Sequence, residues 1–103
     1  MTRQTMKNRI NKVLHSSTKG IHRDDSWIPV HDAFRALESS GYPVIIVGTS
    51  YRTDENGNPC QKRWNFTVPH PDGGKPFSGI VVASGCGTVA DPLSQYDVVA
   101  YVS

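Results

Sequence analysis

Apolar and polar positions along this chain change rhythm once, near residue 44. Before that point the period is helical. Met6, Ile10, Val13 and Leu14 recur at i, i+4, i+7 and i+8, which predicts a helix over residues 3–15 with one narrow apolar stripe. The run "SSTKG" closes it. Residues 22–28 are polar and acidic up to Trp27 and Ile28, with Trp27 as their one aromatic group of this size. Val30, Ala33, Phe34 and Leu37 then repeat at i, i+3, i+4 and i+7. Pro29 suits the first turn of that second helix, where its missing N–H costs nothing. Gly41 offers a left-handed cap, and Pro43 prevents continuation.

After residue 44 the pattern belongs to strands. "VIIVGTSYR" is β-branched and predicts a buried strand. "DENGNP" follows as a turn, its Asn56-Gly57 suited to the positive φ that hairpins need. In "CQKRWNFTV" the alternation puts Trp64, Phe66 and Val68 on one face and Arg63, Asn65 and Thr67 on the other. "PHPDGGKP" is too rich in proline and glycine to hold a ladder. "FSGIVVAS" and "QYDVVAYVS" supply a third and a fourth strand. The expected fold is therefore α+β, in the order α-α-β-β-β-β. Two N-terminal helices pack on one face of a four-stranded antiparallel sheet.

The last strand sharpens this picture. Tyr96, Val98, Ala100 and Val102 fall on one side and Val99 and Tyr101 on the other, with only Asp97 guarding the second side. A strand apolar on both faces belongs in the middle of a sheet or under another chain. The expectation is a homo-oligomer, buried through this strand or through the sheet face the helices leave open.

At 103 residues the chain fits one domain. It divides into a basic helical arm (1–23), a second helix (24–41) and the antiparallel sheet (42–103). The net charge of +2 conceals an asymmetry. Residues 1–23 carry six basic side chains and no acid, whereas the rest carry five basic and nine acidic ones. A basic arm on an acidic body points to a phosphate backbone, a nucleotide or an acidic protein surface as partner. Folding back onto the chain's own acids is the plainer alternative. Arg3 and Lys7 flank one side of the first apolar stripe, and Arg9 and Lys12 the other, which suits a helix docked by its stripe. These four, with Arg52, Arg63 and Asn65 on the sheet, are the candidate contact residues.

No apolar run is long enough to span a bilayer, and no h-region follows the basic start, so the expectation is a cytoplasmic chain without a membrane partner. Its two cysteines, Cys60 and Cys86, then read as reduced thiols. The four histidines and two cysteines show no metal-ligand spacing, and no nucleotide-binding glycine motif occurs, so no metal or cofactor is expected. "KRWNFT" interleaves basic and aromatic residues, as single-strand binders do, although Trp64 and Phe66 share the face expected to be core.

Cys86 stands between Gly85 and Gly87 at the end of an apolar run. "SGCG" resembles the Gly-x-Cys-Gly around the nucleophile of chymotrypsin-like viral cysteine proteases, over four residues only. Those enzymes need two β-barrels, which a chain of this length opening with two helices cannot build. Cys86 with His70 as base is the fallback catalytic pair. The preferred reading makes Cys86 a small apolar side chain where a strand turns or bulges. In general style the chain resembles small accessory and inhibitor proteins of bacteriophages and mobile elements. That resemblance implies a non-enzymatic binding protein that occludes or sequesters its partner. The alternatives are a nucleic-acid binder using the first helix and a small cysteine-dependent enzyme.

Overall fold

The computed structural model describes residues 2–23, 26–86 and 95–103, with Cys86 described by its backbone alone. Helix α1 (Arg3–Thr18) leads into a two-residue strand β1 (Ile21–His22) and helix α2 (Ile28–Ser39). Strands β2 (Ile45–Thr53), β3 (Pro59–Val68), β4 (Phe77–Cys86) and β5 (Gln95–Val102) follow. The architecture is α+β. The sheet has five antiparallel strands in the order β1-β5-β4-β3-β2.

Local chemistry sets the helix ends. The Thr2 hydroxyl accepts the N–H of Thr5 at 3.1 Å, satisfying one of the donors a helix start leaves free. α1 runs about a turn beyond the expected His15, and the Thr18 hydroxyl, buried, donates to the Leu14 carbonyl at 2.7 Å. Trp27 precedes α2 in the left-handed region, at φ 57. Gly41 takes φ 88, and the N–H of Tyr42 reaches the Leu37 carbonyl at 2.9 Å. That closes α2 at Gly41, as its left-handed cap implied.

Helix stripes and strand alternation meet in one core. Ile10, Leu14, Val30, Ala33 and Leu37 pack against Phe66, Val68, Phe77, Val81, Ala83, Tyr96 and Val102, all nearly or wholly buried. The Phe66 ring crosses the neighbouring strand at Gly79, where an added Cβ would sit 2.2 Å from it. Gly79 is therefore a space left for an aromatic ring.

Three expectations need correction. The fifth strand, β1, was not foreseen, because two residues carry no alternation to read. Gly20 at φ 93 turns the chain back, and Ile21 and His22 then pair with Asp97 and Tyr96. Secondly, β2 is an edge strand and not a buried one: it pairs with β3 alone, and every residue in it except Gly48 is exposed. A β-branched run looks the same whether a strand is covered on both faces or bare on both. A bulge between Ile46 and Gly48 also breaks its alternation. Thirdly, of Asn56 and Gly57 only Gly57 has positive φ, at 80. Asp54 organises the rest of the turn, its Oδ1 accepting the N–H groups of Asn56 and Asn58, each at 2.9 Å. The terminal strand is central as expected, lying between β4 and β1.

Candidate functional site

Residues paired directly across antiparallel strands point to the same face, so the register defines the side away from the helices. One row runs Gly48, Asn65, Ile80, Tyr101 and the next runs Ser50, Arg63, Val82, Val99. A third runs Arg52, Gln61, Ser84, Asp97, Ile21. The centre of this face is apolar. Ile80 and Val82 are half-buried, while Val99 is 56% and Tyr101 48% exposed. No element of the described chain crosses it.

Arg63 stands beside that apolar centre. Among the described residues its buried Nε has no hydrogen-bond partner, and no carboxylate makes an ion pair with it. A cation held against apolar side chains is poorly hydrated, so an incoming anion competes with less water there than at an exposed lysine. Asn65 and Arg52 lie in the adjacent rows, both exposed. The candidates Arg52, Arg63 and Asn65 thus share one surface.

The arm's candidates do not join them. α1 packs on the other face of the sheet through Met6, Ile10 and Leu14. Arg9 and Lys12 are exposed and Lys7 half-buried, and none is in an ion pair among the described residues. The acids among the described residues therefore do not neutralise them. Arg3 has a different task. Its Nη1 and Nη2 donate to the carbonyls of Lys75 and Pro76, and its guanidinium lies 4.3 Å above the Phe77 ring. Arg3 clasps the proline loop to the start of α1.

His70 and Cys86 are also far apart. The His70 ring stacks on Phe77, the first residue of β4, at 5.8 Å between centroids. Cys86 is the last residue of the same strand. Ten residues of strand span roughly 30 Å, so the two do not form a dyad in this fold. The Cys86 side chain and Gly87 lie outside the described residues. Gly85 is packed tightly, since an added Cβ would stand 2.1 Å from the Gln95 carbonyl oxygen. Among the described residues no three His, Cys, Asp or Glu side chains gather as a metal site, and no helix is long and apolar enough to cross a membrane.

The aromatic members of "KRWNFT" face the core. Trp64 and Phe66 are 4% and 1% exposed, which leaves no stacking platform on that strand. Sequence reasoning missed what Lys62 does: its Nζ lies 4.9–5.1 Å from the rings of Trp27, Tyr51 and Trp64. This cation–π cluster seals the core where the helices end. The only signal for it was a lysine at a core-parity position next to two aromatics. The chain matches no protein-family model, no curated protein and no solved structure.

Proposed function

We propose that this chain is a small, non-enzymatic binding protein of the cytoplasm that occludes an acidic protein surface through its uncovered sheet face. It would act as the small inhibitors of bacteriophages and mobile elements do. The supporting observation is an apolar centre of Ile80, Val82, Val99 and Tyr101 beside Arg63, whose Nε has no partner among the described residues. Apolar surface flanked by cationic and amide groups is the composition of a protein–protein contact. Arg63 is the anchor in this reading, Arg52 and Asn65 are rim contacts, and Val99 and Tyr101 bury against the partner.

A photo-reactive side chain at position 99 should capture the partner, and the same group at position 12 should not. Arg63→Glu should then weaken the captured complex at least tenfold, about 1.4 kcal/mol. Capture from position 12 alone would shift the reading to the arm. A nucleic-acid reading keeps one observation in its favour: Arg9 and Lys12 are exposed and in no ion pair among the described residues. It requires binding whose logarithm falls linearly with the logarithm of salt concentration, and loss of that binding on reversing Lys7, Arg9 and Lys12.

A further inference from the structure

The direction of each peptide group in the sheet follows from two hydrogen bonds at β5. The N–H of Val102 points away from β4, donating to Asn11 Oδ1 at 2.8 Å. The N–H of Ser103 points towards it, donating to the Ser78 carbonyl at 3.0 Å. Peptide groups alternate along each strand, and the strand register carries that alternation across β4 and β3 to β2. Ser50 and Arg52 therefore turn their backbone groups to β3. Thr49, Tyr51 and Thr53 turn theirs outward, to a free edge.

The two edges of the sheet are unequal. At β5, β1 pairs with residues 96 and 97, and the Asn11 amide both accepts from and donates to the backbone of Val102. On the outer side of β2 no described strand pairs. The stretch from Ile45 to Tyr51 carries no charge, and Ile45, Ile46, Val47 and Tyr51 are all exposed, Val47 by 67%. A long, apolar edge, interrupted by one bulge at Val47 and charged only at Arg52, is a template for another strand.

We infer that the partner on this edge is a second copy of the chain, its β2 pairing antiparallel with the first about a two-fold axis at Ser50. In that register Thr49 lies opposite Tyr51 of the second copy, and Val47 opposite Thr53. Arg52 lies opposite Gly48, which offers no side chain to obstruct it. No two like charges oppose each other, so the strand is complementary to itself. Because β1 and Asn11 occupy the other edge at both its ends, pairing stops at two, giving a closed ten-stranded sheet and not a fibre. The two Arg63 residues then stand three strand spacings apart, roughly 14 Å. That exceeds the screening length of about 8 Å in physiological salt, so their repulsion is weak. The dimer does not depend on the open-face reading. If that reading holds, the dimer presents it as one face with four arginines near its centre.

The test combines mass with position. Sedimentation at high micromolar concentration should give twice the 11.3 kDa chain mass. Thr49→Pro removes an outward N–H that bonds nothing among the described residues and should restore the monomer, as should Val47→Lys. In a Cys60→Ser, Cys86→Ser background, Ser50→Cys should cross-link to itself under mild oxidation. A non-hydrogen-bonded pair sets Cα atoms about 4.5 Å apart, within disulfide reach. Ser78→Cys on the same face should not cross-link. A wild-type monomer would overturn the inference and leave the edge to a foreign strand. A dimer that survives both edge variants but is lost in Tyr101→Lys would overturn it in favour of the open face. Arg63→Glu should leave the dimer intact, which separates this test from that of the binding face.

Discussion

The two margins of the sheet solve the same problem in opposite ways. At β5, a helix residue and a two-residue strand occupy the outward backbone groups at the two ends of the strand, at Val102 and Tyr96. At β2, nine residues lie open, and several are as apolar as the core. Each margin carries a single charge and is otherwise rich in apolar residues, so residue type does not separate them. What separates them is where the amino-terminal segment lies. α1 runs beside β5, Asn11 meets Val102, and Gly20 turns β1 onto residues 96 and 97. The contrast shows an edge being closed by chain arriving from elsewhere, and left usable where none arrives.

The largest effect should come from breaking the packing behind the closed margin. Leu14→Ala empties a fully buried site under α1 and should cost about 2–5 kcal/mol in denaturant unfolding. Gly79→Ala, which drives a methyl group into the Phe66 ring, should cost roughly 1–3 kcal/mol. At the open margin, Val47→Thr should change the stability of the monomer by no more than about 0.5 kcal/mol. A core-sized loss there would mean that β2 is covered.

Next in size is the seal itself. Asn11→Ala strands the N–H of Val102 and should cost about 1–2 kcal/mol. It should also give the sheet two free edges, so that sedimentation shows a ladder of species growing with concentration in place of one closed form. A variant that is destabilised yet keeps one closed species would show that α1 blocks the edge without its amide.

Smallest are the charges of the arm. Reversing Lys7, Arg9 and Lys12 together should leave the melting temperature nearly unchanged, because no acid among the described residues pairs with them. Arg3→Ala should lower stability by about 0.5–1 kcal/mol through lost contact with Phe77 and the loop carbonyls. A large loss in the triple variant would place those charges in the fold's own electrostatics.

The sequence was most informative where one residue's burial repeats at a fixed period. Val30, Ala33 and Leu37 in α2, and Trp64, Phe66 and Val68 in β3, are buried as their spacing implied. The two-sided apolar character of β5 correctly implied a central strand. Periodicity could not say which β-branched strand lies at the margin, since Val44 to Val47 and Ile80 to Ala83 read alike. β1 was too short to show a period at all. For the candidate site, parity placed Arg63 and Asn65 on the same face, and pairing with β2 adds Arg52. The separation of those residues from Arg9 and Lys12 depends on which face α1 covers, a property of tertiary packing. Asn11 and Lys62 were hidden for a related reason: each is a polar side chain whose partners, Val102 and Trp27, are distant in sequence.

Amide hydrogen exchange, read residue by residue in dilute and concentrated solution, tests the unequal margins most directly. Under dilute conditions Thr49, Tyr51 and Thr53 should exchange rapidly while Val102, bonded to Asn11, is protected. On concentration, Thr49 and Tyr51 should become protected together, with Val102 unchanged. Slow exchange at Thr49 and Tyr51 that is independent of concentration, or rapid exchange at Val102, would contradict the account.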